Sequence, residues 1–350
     1  MQSECLPLIP EAVLRAHSVN VPEDSRFKAA ARLLQALWRE EMGLPIGSHR
    51  NLKGKRRKLG SRIDAISAEA GANFLTPEIA TLTRREVIYR EVGAFIDEER
   101  LWTNLLSSQP LCFNLFGALK LDKEKANLFF RSLFPDYVQE VQGIYFEHSP
   151  GRGDPAFTQD GSAFDVFVPC VTPTGDCAFI AIEMKYSETM SETPAALRPR
   201  YDELSASLPV FRDPAAQELR QAPLQRLWRE HMLSRAMVKS GTYSQGLFVV
   251  IHPEQNTNCG AATRAYKRQL ASADPAETGF QSVTLEDCLS ALAAIGADET
   301  ASALRHRYLD FGQLEAAIFG SCSKKRIHPS SAALPSICFF SSSVLSGKWS

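Results

Sequence analysis

Two ionisable residues, Glu183 and Lys185, stand inside an apolar run that has the composition of a β-strand. This run, residues 177–186, is short and rich in β-branched and aromatic side chains. Side chains alternate along a strand, so Glu183 and Lys185 share one face. An earlier strand-like run, 163–168, carries Asp165 and is joined to the second by a Pro/Gly turn. Antiparallel pairing therefore predicts Asp165, Glu183 and Lys185 in one pocket.

These three residues predict metal-assisted chemistry. An unpaired charge inside an apolar sheet costs several kcal/mol unless a partner or a metal compensates it. Two converging carboxylates suit a hard divalent cation, which prefers oxygen ligands and keeps several waters. Lys185 would then orient or deprotonate a water, or stabilise a phosphate. We expect Mg²⁺ or Mn²⁺ as the cofactor.

Length and composition describe an ordinary globular chain. It has 350 residues, of which 44% are hydrophobic and 23% charged, enough for one large or two small domains. The net charge is −1, so any surface that binds nucleic acid must be a local basic patch. The eight cysteines form no C-x-x-C pair, and there is no signal pattern and no run of the roughly 18 apolar residues that span a bilayer. These features predict a cytoplasmic protein without a membrane partner; a homodimer stays open.

The hydrophobic periods predict the order helix, strand, strand, strand, helix, strand. An N-terminal arm, 1–24, precedes a helix that begins at Ser25, and a Ser-rich tail, 320–350, is expected to be disordered. We interpret 25–319 as one domain with a core at about 83–255 and helical additions at 25–82 and 260–319. The further expected elements are a helix in two pieces over 83–108, an apolar turn region at 109–117, a helix at 122–134, a strand at 141–147, a helix at 224–237 and a buried strand at 246–252.

A basic run follows the first helix. Residues 49–62 hold seven Lys or Arg residues and no acidic one, and such a density can follow a phosphate backbone. A solvated surface loop is an equally good interpretation. The candidates for nucleic-acid binding are Arg50, Lys53, Lys55, Arg56, Arg57, Lys58 and Arg62.

The element order, together with Asp165, a gap of seventeen residues and Glu183-Met184-Lys185, resembles the core of the PD-(D/E)xK nuclease superfamily. Four further blocks, at 89–94, 105–117, 146–151 and 182–188, look like those of a bacterial restriction-endonuclease-like group whose activity is uncharacterised. The resemblance covers about residues 25–319. The proline of the superfamily motif is absent, since Phe164 precedes Asp165.

The resemblance implies an α/β fold in which helices flank a mixed four-stranded sheet. It also implies that Asp165 and Glu183 ligate the metal, that the carbonyl of Met184 adds a ligand, and that Lys185 activates or positions the attacking water. The superfamily often adds an acidic residue from the helix before the first strand. Here the candidates are Glu91, Glu98 and Glu99, which sequence does not separate.

Two further residues have alternative interpretations. Glu147 ends the first expected strand and could reach the metal, although a surface carboxylate that caps the following loop is favoured. Gln225 matches a glutamine that some superfamily members place on the helix after the lysine strand, and a solvent-facing side chain is equally expected. His148, His231 and His252 lack any metal-ligand spacing and are interpreted as structural.

Three functions remain open from the sequence. The leading one is metal-dependent phosphodiester hydrolysis, with DNA as the expected partner. A second keeps the fold without the chemistry, as a nucleic-acid or protein interaction module in which the carboxylates and the lysine form a structural ion-pair network. A third is cleavage of RNA, which the same metal chemistry would serve.

Overall fold

A mixed β-sheet forms the centre of the protein, of which the computed structural model describes residues 6–50 and 54–324. In this sheet β3 and β4 pair antiparallel with β5, β5 pairs antiparallel with β6, and β6, β7 and β8 run parallel. A separate antiparallel pair is made by β1 and β2. The strands are β1 (Ile46–Arg50), β2 (Arg56–Ile63), β3 (Glu140–Val141), β4 (Tyr145–His148), β5 (Phe164–Val171), β6 (Cys177–Met184), β7 (Gln245–His252) and β8 (Phe280–Thr284).

Helices cover both faces of the sheet. One face carries the larger core, to which α2, α6, α7, α12 and α13 contribute, and the other packs against α8, α9 and α10. The expected α/β architecture, a central mixed sheet flanked by helices, is confirmed. The helices are α1 (Glu11–Ala16), α2 (Arg26–Glu41), α3 (Ala65–Glu69), α4 (Pro77–Ile88), α5 (Glu98–Thr103), α6 (Ser108–Leu121), α7 (Lys123–Leu133), α8 (Pro199–Ala206), α9 (Gln225–Lys239), α10 (Thr257–Gln269), α11 (Pro275–Thr278), α12 (Leu285–Ala294), α13 (Asp298–Tyr308) and α14 (Gln313–Lys324), with a 3₁₀ turn at Gln217–Arg220.

Side-chain caps fix several of the helix starts that the sequence predicts. The hydroxyl of Ser25 accepts the backbone N–H of Lys28 at 3.2 Å, and Asp122 accepts that of Lys125 at 3.0 Å. Each cap satisfies a donor that the first helical turn leaves without a partner. The helices α2 and α7 therefore begin where the sequence places them.

Two expectations about the elements are wrong. Residues 109–117 form most of α6 instead of a turn region, because Ser107 caps this helix and nearly every following side chain is buried, which removes the amphipathic period. The sheet also exceeds the expected four strands. Residues 280–284 form β8 at its edge, inside a stretch predicted to be helical, and the strand at 141–147 is split into β3 and β4.

The ends of the chain differ from the simple arm and tail that the sequence suggests. In the described part of the N-terminal segment, Leu6, Val13 and Val19 are buried in the larger core, and Val13 belongs to α1. At the other end α14 extends to Lys324, so the first residues of the predicted tail are helical. The remainder of that tail, 325–350, lies outside the described residues.

Candidate active site

The strands β5 and β6 place Asp165 and Glu183 next to each other. Val166 pairs with Ile182 in the antiparallel register, so the next position along each strand brings Asp165 opposite Glu183. Glu183 alternates with Ile182 and Met184 of the larger core and therefore faces α9. Asp165 lines the same cleft as Glu183 and also borders Cys112 and Phe113 of the larger core. Asp165 Oδ2 accepts the backbone N–H of Met184 at 2.8 Å, which fixes its carboxylate beside the end of β6.

Glu183 is completely buried and is held by two cations. Its Oε1 lies 2.6 Å from Nζ of Lys185 and 2.8 Å from Nη2 of Arg226. These are ion pairs without hydrogen-bond alignment, since neither oxygen of Glu183 accepts an aligned hydrogen bond. Burial disfavours the charged form of Glu183, but Arg226 and Lys185 outweigh it and lower the pKa of this carboxyl to about 2. Glu183 is therefore an anion whose Oε1 pairs with two cations and whose buried Oε2 has no aligned hydrogen-bond donor.

Arg226 is a site residue that the sequence analysis missed. It lies in the first turn of α9, where its Nη2 reaches Glu183 and its Nε reaches Oε1 of Glu230 at 2.8 Å. Burial, followed by the charge of Glu183, raises the pKa of Glu230 to about 8. The only sequence signal was the four-residue spacing from Arg226 to Glu230, which is common on solvated helices.

Excess negative charge is concentrated around Asp165. Burial, and next the charge of Glu183, raise the pKa of Asp165 well above its usual range. The same two causes raise the pKa of Glu147, at the end of β4, to about 7. Glu147 has a left-handed backbone, with φ of 51°, and lines the same cleft as Asp165. The favoured interpretation of Glu147 as a surface carboxylate is therefore wrong.

These groups line one cleft of about 530 Å³. Its acidic lining residues include Asp165, Glu183, Glu147 and Glu230. Lys185 and the arginines Arg100, Arg152, Arg198, Arg226 and Arg229 are interspersed with acidic residues. Acceptors for a cation and donors for an anionic ligand thus face the same space.

A second polar network positions Arg229. Asp160 accepts hydrogen bonds from the Thr158 hydroxyl, the Tyr201 hydroxyl and Nη1 of Arg229, each at 2.7 Å. Burial opposes ionisation, but Thr158, Tyr201 and Ser162 outweigh it and lower the pKa of Asp160 to about 2. This carboxylate is saturated by protein donors, in contrast to Glu183.

The three acidic candidates that precede the first strand, Glu91, Glu98 and Glu99, lie outside the cleft. Glu91 accepts the backbone N–H of Ser149 at 3.0 Å and pairs with His148, while Glu99 pairs with Arg62 at 2.9 Å. The metal-ligand predictions for Glu91 and Glu99 are therefore corrected, and Glu98, paired with Arg90 at 3.0 Å, lies away from the cleft as well. Glu91 stands on the irregular segment between α4 and α5, and Glu98 and Glu99 begin α5; no sequence period fixes the direction of either element.

Gln225 is buried, which corrects both the catalytic and the solvent-facing interpretation. Its amide makes two hydrogen bonds of 2.7 Å with the backbone N–H and carbonyl of Ala195. This side chain fastens the segment after β6 to α9, and the next residue, Arg226, enters the cleft instead.

The predicted basic loop is mostly a hairpin. Arg50 ends β1, and Arg56, Arg57 and Lys58 are exposed at the start of β2, as is Lys55 before it. Arg62 is buried against Glu99, so it is not a surface contact for nucleic acid, and that prediction is wrong. Lys53 lies outside the described residues.

The histidines have structural partners. His231 is buried between the Tyr266 hydroxyl, at 2.9 Å, and the Thr278 carbonyl, at 2.8 Å, and burial lowers its pKa to about 3. His252 contacts the carbonyl of Pro253 at 2.9 Å. Neither lines the cleft.

Comparison with known families decides the classification. The sequence model described as the PD-(D/E)XK nuclease superfamily matches residues 22–310. The chain belongs to this superfamily. Membership in the PD-(D/E)XK superfamily indicates a nuclease that acts on nucleic acid, and its members generally use divalent metal ions such as Mg²⁺. No curated protein and no solved structure matches the chain.

The donor set fits the metal that PD-(D/E)XK nucleases use. Oε2 of Glu183 is buried without an aligned hydrogen-bond donor, and Asp165 is the neighbouring carboxylate in the cleft. Among residues 6–50 and 54–324, no three His, Cys, Asp or Glu side chains are gathered to hold a metal by themselves. Mg²⁺ is generally held by one or two carboxylates, and water and substrate phosphate complete its coordination. In the same ranges, no helix combines the length and apolar character needed to cross a membrane.

Proposed function

We propose that this protein is a divalent-metal-dependent nuclease that hydrolyses phosphodiester bonds, with DNA as the expected substrate. The observation that supports it is the meeting of Asp165, Glu183 and Lys185 in one cleft, on adjacent antiparallel strands. Asp165 and Glu183 would hold the metal. A bound Mg²⁺ would lower the pKa of water and neutralise charge that develops on the phosphate.

Lys185 is better suited to donate than to accept a proton. Burial disfavours its charge, but the carboxylate of Glu183 outweighs burial and raises the pKa of Lys185 above its usual range. A protonated ammonium 2.6 Å from Glu183 can position a water or contact a phosphate oxygen, while it lacks the lone pair of a general base. We therefore assign Lys185 the positioning and electrostatic role.

Arg226 and Arg229 supply further positive charge for the phosphate. Arg226 is half-exposed toward the cleft while it contacts Glu183 and Glu230, and Arg229 is fixed by Asp160. Guanidinium groups bind phosphate oxygens in a planar, bidentate manner. Their location beside the carboxylates would place a phosphodiester group against both.

One observation favours the alternative of a catalytically silent module. Glu183 is already neutralised by Lys185 and Arg226, which is what a structural ion-pair network requires. In that case Glu183→Ala would destabilise the fold and no divalent ion would bind. The buried Oε2 of Glu183, which lacks an aligned donor, and the raised pKa of Asp165 favour the metal-dependent proposal.

A cleavage assay with matched variants tests the proposal. Purified protein is incubated with supercoiled plasmid, single-stranded DNA and RNA in Mg²⁺ or Mn²⁺, beside Lys185→Ala and the control Lys239→Ala. Lys239 is the exposed last residue of α9, about 20 Å along the helix from Arg226. We expect cleavage by wild type and Lys239→Ala only. Equal cleavage by Lys185→Ala would assign the activity to a contaminant, and a preference for RNA would replace DNA as substrate.

A further inference from the structure

An exposed aromatic side chain, Phe95, lines the catalytic cleft. It is 76% exposed, although it is among the residues that border the same space as Asp165 and Glu183. A large apolar side chain left in water beside a polar cleft has no role in the protein core. Its location beside the cleft makes the ring available to a ligand with an apolar surface.

The ring is carried by a segment that is fastened on both sides. The next residue, Ile96, is buried and borders a small gap together with Glu147 and Asp165. On the other side Glu91 is tied to the loop after β4, through the backbone N–H of Ser149 at 3.0 Å. Phe95 is therefore displayed at a fixed position, close to the proposed metal ligands.

Cations accompany this ring around the cleft. Arg152 and Arg198 donate to backbone carbonyls, of Gly161 at 3.1 Å and of Gln159 at 2.6 Å, and both line the cleft. Arg100 also lines it, 3.9 Å from Glu188. An aromatic ring among arginines is the combination that binds an unstacked base and its flanking phosphates.

The size of the cleft sets a limit on what reaches the carboxylates. The cleft volume of about 530 Å³ has room for one or two nucleotides beside the carboxylates. Glu183 and Lys185 are buried at 0% and 3% exposure, so the reacting phosphate must enter this space. An unpaired strand can do so with its bases turned outward toward Phe95.

We propose that Phe95 stacks on an unpaired base beside the phosphate that the cleft binds, so that the substrate is a single strand or the unpaired end of a duplex. This inference rests on the proposed nuclease function and specifies its substrate class. It assigns Phe95 a binding role and leaves the chemistry to Asp165, Glu183 and Lys185.

Binding measurements test the stacking contact separately from cleavage. A single-stranded oligonucleotide with one 2-aminopurine base is titrated with protein in Ca²⁺, and quenching of the base reports stacking. We expect Phe95→Ala to weaken binding roughly 5- to 150-fold and to abolish the quenching, since stacking on an aromatic ring contributes that much per base. Phe95→Trp should retain both, whereas Phe95→Leu, which keeps only the apolar character, should lose the quenching.

The matched control is Val92→Ala, which removes another exposed apolar side chain, 98% exposed, from the same segment but outside the cleft. It should bind like wild type. Unchanged binding by Phe95→Ala, or tighter binding of blunt duplex than of single strand, would overturn the inference. A change of oligomeric state in Phe95→Ala, seen by sedimentation, would overturn it in favour of a protein interface. Absence of cleavage by wild type in Mg²⁺ and Mn²⁺, with stacking intact, would instead refute the nuclease function alone.

Discussion

Replacement of Asp165 by asparagine should separate metal binding from folding. The amide oxygen of asparagine can still accept the 2.8 Å hydrogen bond from the Met184 N–H, so the local geometry is retained. Burial, followed by the charge of Glu183, raises the pKa of Asp165 in the folded protein. A carboxyl group whose pKa is higher in the folded than in the unfolded protein stabilises the fold at pH values below its unfolded-state pKa. This stabilisation is lost as the pH rises through the folded-state pKa. Without metal, the free energy of unfolding of Asp165→Asn should therefore increase relative to that of wild type as the pH rises above about 4.

Addition of a divalent ion should reverse that order. A ligand that binds only the folded state, present at 100 times its Kd, stabilises that state by about 2.7 kcal/mol. For a chain of this size this raises the Tm by roughly 4 °C. Wild type should show this increase with Ca²⁺ at pH 7, and Asp165→Asn should not. Thermal unfolding followed by circular dichroism, with Kd from calorimetry, measures both.

The matched control for this experiment is Asp160→Asn. Asp160 lines the same cleft and is buried, but protein donors already satisfy it. Its replacement should lower the free energy of unfolding and keep the response to Ca²⁺. An equal response of Asp165→Asn and wild type would refute the assignment of Asp165, and so would a metal-free loss of several kcal/mol in Asp165→Asn.

Three further predictions concern charge. Lys185→Met should reduce turnover roughly 10²- to 10³-fold, since it removes one positioned donor. Its Ca²⁺ affinity should be no weaker than that of wild type, because the substitution removes a cation that competes for Glu183; a loss of Ca²⁺ binding would contradict that role. Urea unfolding at pH 7 should show Asp160→Asn to be about 2 kcal/mol less stable than wild type. This difference should disappear as the pH falls from about 4 through about 2. The reason is that the ionised Asp160, whose pKa is lowered in the folded protein, stabilises the fold only above that pH range. Arg56→Ala should reduce by about 1 the slope of log K against log salt concentration for nucleic-acid binding, because Arg56 is exposed. Arg62→Ala, at a buried position, should lower the stability of the protein and leave this slope unchanged. Filter binding at several salt concentrations compares the two variants.

The meeting of the sheet residues could be predicted because it follows from local rules. Alternation along one strand puts Glu183 and Lys185 on a face, and a short turn sets the register that adds Asp165. Neither step requires knowledge of distant packing. The roles of these residues remain predictions that the variants above test.

The remainder of the site depends on how the helices pack against the sheet, which the sequence pattern does not predict. Gln225 and Arg226 are neighbours on α9, and successive helical residues point about 100° apart, so a one-residue difference decides which enters the cleft. Glu147 was assigned to the surface because its left-handed backbone and its burial come from contacts across the sheet. Residues 109–117 were misassigned because a helix buried all round has no period.

Anomalous diffraction from crystals grown with Mn²⁺ tests the central claim most directly. We predict one Mn²⁺ peak in the cleft, bound by oxygens of both Asp165 and Glu183 at about 2.0–2.3 Å, with Arg226 displaced from Glu183. A cleft without a peak, in which Lys185 and Arg226 still neutralise Glu183, would contradict the metal-dependent site and support a structural ion-pair network.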